Sequence, residues 1–148
     1  MPIPNLNGFG LLPEGVFDCT LAEAQARFGN FQDSDRRPQL WRKLKEFLRE
    51  VSACGLVRGV LLDGSFVTEK PDPDDIDLIL VVSSDHNFSA ELTLAEYNVV
   101  SKRSVFRRYG FDLLVARDGS EEYRRYLAFF QQVRLEPNLR KGILRLVL

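Results

Sequence analysis

Gly64-Ser65 and Asp75-Ile76-Asp77 are the residues whose types and spacing best suit chemistry in this chain. They share one stretch, LLDGSFVTEKPDPDDIDLIL, from Leu61 to Leu80. It reads as the end of an apolar strand, a break at Gly64-Ser65, a charged loop punctuated by Pro71 and Pro73, and a second strand entered through the acids. Alternate residues of a strand share a face, so Asp75 and Asp77 project together. Side-by-side carboxylates repel, and a divalent cation is the usual way to neutralise them. Gly lets a phosphate approach the backbone closely, and Ser offers a hydroxyl and an N–H. Together these suit phosphoryl or nucleotidyl transfer. N–H groups hold terminal phosphates while a metal offsets the charge that builds up in the displacement.

Gly64-Ser65 followed by Asp75-Ile76-Asp77-Leu78 resembles the signature of the DNA polymerase beta-like nucleotidyltransferase superfamily, in the style of its small, minimal bacterial members. The opening Gly10-Leu11-Leu12-Pro13-Glu14-Gly15 is similar to the start of a group of uncharacterised proteins in that superfamily. The core match spans roughly the middle third to half of the chain. The resemblance implies a third carboxylate on a later strand, for which Asp112 in Gly110-Phe111-Asp112-Leu113-Leu114-Val115 is the candidate. It implies that Gly64 and Ser65 grip the β- and γ-phosphates of a nucleoside triphosphate, and that Asp75, Asp77 and Asp112 hold Mg²⁺, two ions in the active complex. The acceptor would be a hydroxyl on a protein, a transfer-RNA end or a small molecule, and the partner in some relatives is a toxin, an antitoxin or a phage-defence component. Many minimal members carry a further Gly and a basic residue soon after the Gly-Ser pair; here Phe66-Val67-Thr68-Glu69-Lys70 stands instead. That departure supports a competing reading, a catalytically inactive nucleotide-binding or antitoxin-like module of the same fold.

Plainer readings stand beside these. The acids at 75 and 77 would serve as a solvated strand edge, except that the apolar run Leu78–Val82 follows them directly and should be interior. Gly-Ser turns are common at strand ends, and this one gains weight from lying eleven residues before Asp75. A calcium loop is excluded, because Ile76 stands where a third oxygen ligand belongs. Asp112 alone would pair with Arg107 or Arg108. Lys70 either reaches a phosphate as a point charge or is a solvated loop lysine. Asp63 and Asp74 read as turn-formers. His86, the single histidine, lies in a polar loop and makes a poor general base. Lys102, Arg103, Arg107 and Arg108 share one helix, read as a solvated face or as a site for RNA or a phosphate-bearing partner. Arg140, Lys141 and Arg145 carry the same two readings.

At 148 residues, 45% of them hydrophobic, the chain suits one compact domain spanning residues 1–148. A net charge of −1 argues against broad nucleic-acid binding driven by the overall field. Cys19 and Cys54 form neither a metal spacing nor a disulfide framework. No apolar run reaches membrane-spanning length and the amino terminus lacks signal-peptide features, so the expectation is a cytoplasmic protein.

The elements that must position the site follow from periodicity and caps. Residues 1–19 read as an extended arm laid on the domain. Thr20 to Glu23 is a capping box opening a helix to about Phe28, followed by a polar loop from Gly29 to Arg37. Leu40, Trp41, Leu44, Phe47, Leu48 and Val51 give one apolar face to a helix from about Pro38 to Ala53, which Gly55 ends. Strands are expected at Val57–Asp63, Ile76–Ser83 and Phe111–Ala116. Thr93 opens a helix to about Tyr109, and Ser120 caps one running to about Val133, broken by Pro137. Periodicity leaves the tail from Gly142 to Leu148 open between strand and helix. Helices alternating with few strands give an α/β or α+β class with a small mixed sheet flanked by helices, its core strands within 57–116.

Overall fold

The computed structural model describes residues 3–30, 34–133 and 136–147. Residues 1 and 2 of the expected arm, residues 31–33 of the expected polar loop and Leu148 of the tail lie outside them. A mixed five-stranded sheet forms the centre, flanked by helices. Its strands are β1 (Gly15–Cys19), β2 (Val57–Asp63), β3 (Asp77–Val82), β4 (Asp112–Arg117) and β7 (Gly142–Leu146). Their order is β1-β7-β2-β3-β4. β2 runs antiparallel to β3 and β7, β3 runs parallel to β4, and β1 runs parallel to β7. Two short strands, β5 (Gln132–Val133) and β6 (Glu136–Arg140), pair as a separate antiparallel ribbon.

Both chain ends join the sheet, which decides what the sequence left open. The arm finishes as edge strand β1, and the tail is a strand inserted between β1 and β2. Its Ile143, Leu144 and Leu146 are buried, alternating across a sheet covered on both faces. A short apolar run carries no helical or strand period of its own; pairing on both sides decides it here.

Helices cover the sheet unequally. α2 (Arg36–Cys54) buries Leu40, Trp41, Leu44, Phe47, Leu48 and Val51 against one face. Val60, Leu62, Leu78, Leu80 and Leu113 meet it there. α1 (Leu21–Ala24) starts in the Thr20–Glu23 capping box and widens into a π-helical turn, Gln25–Gly29. The helix expected from Thr93 to Tyr109 is two helices, α3 (Leu94–Val100) and α4 (Lys102–Tyr109). Ser101 separates them. Its backbone is extended, and its hydroxyl accepts from the Ser104 N–H, so it caps the second helix while ending the first. The opposite face of the sheet is covered by α5 (Glu121–Phe130), through Tyr123, Tyr126, Leu127 and Phe130 packed on Leu61, Ile79 and Ile143. α5 stops at Phe130, short of the expected Val133, because residues 132 and 133 pair with β6, which also contains Pro137. No helix among the described residues is long and apolar enough to cross a membrane.

Candidate metal centre

Asp77 begins β3 and is paired in register with Asp63 on β2 and with Asp112 on β4. Residues opposite one another in neighbouring strands share a face, so these acids form a row across three strands. Their face is the one covered by α5, since Leu61, Ile79 and Leu114 stand two residues along from them. Asp75 lies two residues before Asp77 in the loop just outside the strand. One carboxylate oxygen from each of Asp75, Asp77 and Asp112 falls within 4.8 Å of the others. Asp75 and Asp77 are half-buried and Asp112 is exposed. The acids singled out in the sequence therefore meet. Asp112 does so without pairing to Arg108, which instead grips Glu50 in a bidentate ion pair.

Electrostatics record the crowding. Burial first, then the charges of Asp75, Asp63 and Asp112, push the Asp77 carboxyl up to about 7, with Lys141 opposing. Burial also raises Asp75, reinforced by the adjoining Asp112. Acids raised in this way are held at a cost that a multivalent cation removes. Three carboxylates are a hard oxygen donor set, suited to Mg²⁺, Mn²⁺ or Ca²⁺ rather than to thiophilic metals.

Gly64 follows Asp63 directly and carries φ 86° and ψ −168°. A Cβ there would sit 2.7 Å from Asp77 Oδ2, so only glycine lets the turn close onto the acid. Ser65 opens a 3₁₀ turn, Ser65–Val67, whose carbonyl accepts from the Thr68 N–H and hydroxyl. Lys70 lies further along, its Nζ 3.7 Å from Asp74 Oδ2, and its side chain is 48% exposed.

The loop between turn and acids is pinned by side chains that sequence reasoning placed in a polar loop. α2 begins at Arg36, so Arg36 and Arg37 stand in its first turn. The fully buried Arg37 guanidinium donates to the carbonyls of Phe28, Phe66, Thr68 and Lys70 at 2.6–3.1 Å. Its charge lies over the Phe28 and Phe66 rings, and Trp41 stacks on Phe66. Arg36 Nε donates to the Pro73 carbonyl at 2.9 Å, and its guanidinium also bonds the Asp74 carbonyl. From the other side, Leu11 bridges Thr68 and the Glu69 N–H donates to the Gly10 carbonyl. No sequence signal marks Arg37, because its partners are backbone carbonyls rather than a matching acid.

Asp63 is the other residue the sequence undervalued. Read as a turn-former, it ends β2 as expected and is buried there. Burial raises its carboxyl to about 6 despite Lys141 and the Gly64 N–H. Asp63 and Asp77 line a cleft of about 880 Å³ together with Phe129 and Phe130 of α5, residues of the β5–β6 ribbon, and Lys141. A smaller recess of about 260 Å³ opens beside Asp112 and Lys102 and shares Asp77, Phe129 and Phe130 with the cleft.

Residues 4–147 match a single protein family. The chain belongs to DUF6932, a family of unknown function. No curated protein and no solved structure matches it. For this DUF6932 chain the function must therefore be argued from the acids themselves.

Proposed function

We propose that this protein is a Mg²⁺-dependent nucleotidyltransferase that moves a nucleoside monophosphate from a nucleoside triphosphate to an acceptor hydroxyl. The observation that carries the reading is the convergence of Asp75, Asp77 and Asp112 within reach of one cation. The in-register pairing of Asp77 with Asp112 and the Gly64 turn closed on Asp77 support it. A Gly-Ser turn, a pair of acids and a third acid on a later strand are what the resemblance to the polymerase beta-like superfamily leads one to expect.

Asp75 and Asp77 would hold Mg²⁺ from the β3 side and Asp112 from the β4 side, and a second ion in the active complex is part of the proposal. Bound there, the metal supplies charge neutralisation at the phosphates and lowers the acidity barrier of the acceptor hydroxyl. Gly64 and Ser65 would present backbone N–H groups and a hydroxyl to the β- and γ-phosphates. Asp112, the most exposed of the three, would take the acceptor proton. The acceptor oxygen forms its bond to the α-phosphorus as the bond to the bridging oxygen breaks, and pyrophosphate leaves with that electron pair. The acceptor is a hydroxyl on a protein side chain, a transfer-RNA end or a small molecule, and the toxin–antitoxin or phage-defence partner rests on the superfamily resemblance alone.

The test is transfer of label from α-³²P nucleoside triphosphates, with Mg²⁺, to protein or RNA in a cell extract. Labelling by the wild type that vanishes in an Asp75→Ala, Asp77→Ala double variant supports the reading. Labelling that persists in the double variant refutes it. Tight triphosphate binding with no transfer would instead favour the inactive nucleotide-binding module.

A further inference from the structure

One end of the carboxylate row is closed by a cation that the protein carries itself. Lys141 Nζ lies 3.4 Å from Asp63 Oδ1, with the two side chains only 17% and 3% exposed. Buried ion pairs offset their desolvation when every lone pair is also hydrogen-bonded. This pair falls short of that, because Asp63 Oδ1 is inaccessible to solvent and makes no hydrogen bond. The ammonium is therefore near its acid without being locked to it. Lys141 follows Arg140 between β6 and β7, and both line the larger cleft with Asp63 and Asp77. That cleft, about 880 Å³, falls inside the roughly 300–1,000 Å³ range of small-molecule sites.

The two recesses give the site a polarity. On one side of Asp77 stand Asp63, Lys141 and Arg140, and Asp63 leads directly into Gly64-Ser65. On the other side stands Asp112 with Lys102. Asp63 therefore links the Gly64-Ser65 turn to Lys141 on the β2 side of Asp77, while Gly64, Ser65 and Lys70 themselves line neither recess.

We propose that Lys141 is a phosphate-contacting residue, parked by Asp63 at the end of the carboxylate row in the free protein and turned onto the terminal phosphates of a metal-bound polyphosphate in the cleft. Asp63 is its positioning residue. This rests on the nucleotidyl-transfer reading and adds to it which side of Asp77 takes the triphosphate. A lysine suits the task, since its compact head sits on a flexible stem and can exchange one anionic partner for another. While the cleft holds no polyphosphate, the same ammonium offsets part of the repulsion between Asp63 and Asp77.

Calorimetric titration with Mg·ATP and with Mg·tripolyphosphate tests this, alongside Mn²⁺ binding followed by electron paramagnetic resonance. Lys141→Met should weaken both polyphosphates by about tenfold or more while Mn²⁺ affinity is kept or rises. Lys141→Arg should restore most of the loss. Because Lys141→Met strands a buried acid, the double variant Asp63→Asn, Lys141→Met is measured too, and it should show the same polyphosphate loss with a wild-type unfolding midpoint. Polyphosphate affinities within twofold of wild type in the folded double variant overturn the assignment of Lys141 and leave nucleotidyl transfer standing. A wild-type protein that binds neither Mn²⁺ nor Mg·polyphosphate overturns both.

Discussion

Gly64 and Asp77 touch so closely that the glycine has no room for a side chain, an added Cβ falling 2.7 Å from Asp77 Oδ2. The turn and the acid are one unit, and a methyl group at 64 must displace the carboxylate or open the turn. Gly64→Ala is expected to cost about 1–3 kcal/mol of stability in urea unfolding, through the disfavoured backbone and the clash together. It should also weaken Mn²⁺ binding. Gly55→Ala is the control: it shares a positive φ of 70°, but nothing lies within 4 Å of its Cβ. It should cost about 1 kcal/mol and leave metal affinity alone. Equal Mn²⁺ affinity in the two variants would separate the turn from the acids.

The acids also set a pH dependence. Asp77 is raised to about 7 and Asp63 to about 6, both above the ordinary aspartate value of 3.8. The folded protein therefore binds more protons than the unfolded chain between those limits, and stability must fall as pH rises through that window. Without added metal, the melting temperature should decline from about pH 4 to pH 7. Asp77→Asn should flatten the decline. Mg²⁺ or Mn²⁺ should stabilise the wild type far more at pH 8 than at pH 5, because a cation held by this triad would bind the ionised carboxylates. A wild-type melting curve that rises with pH over this window would contradict the raised carboxyls.

How much of this was legible beforehand divides along a physical line. Helix starts at Thr20, Thr93 and Ser120 and helix ends at Gly55 and Gly110 were readable, because caps are local chemistry. The strands bearing Asp77 and Asp112 were readable from apolar runs. Residues 142–146 were not, because their strand identity depends on partners more than eighty residues away on β2 and over a hundred on β1. The same holds for the site. Asp75, Asp77 and Asp112 carry a spacing pattern, whereas Arg37 serves carbonyls and Lys141 meets Asp63 only through the sheet. Ser101 hid the break between α3 and α4 because apolar positions continue past it; its capping bond to Ser104 is what divides the helix.

Arg37 should behave as a structural clamp on the site loop. Its guanidinium spans carbonyls on both the π-helical turn and the loop after Ser65, fully buried and with no carboxylate among its hydrogen-bond partners. Arg37→Met leaves those carbonyls unpaired and should cost about 3 kcal/mol or more. Arg37→Lys should cost nearly as much, since a point charge cannot span the fork that these carbonyls fit. Urea unfolding reads the stability change. Limited proteolysis should show cleavage within residues 66–70 in both variants before global unfolding. A lysine variant with wild-type stability would mean that charge, not the planar fork, holds the loop.

Phe129 and Phe130 are neighbours on α5 with opposite roles. Both line the cleft and the recess, but Phe130 is 8% exposed and packs in the core, while Phe129 is 63% exposed. Phe130→Ala should therefore cost about 3 kcal/mol as a core truncation. Phe129→Ala should change stability by less than about 0.5 kcal/mol, as surface substitutions do. An exposed ring beside carboxylates placed to hold a cation offers a face on which a base can stack. Phe129→Ala is accordingly expected to weaken Mg·ATP binding by about tenfold, with Phe129→Tyr close to wild type. Mg·tripolyphosphate, which has no base, should bind the wild type and Phe129→Ala alike. A matching loss for both ligands would place the ring's effect on the phosphates or the acids rather than on the nucleoside, and no loss for either would leave Phe129 as an exposed apolar residue without a part in binding.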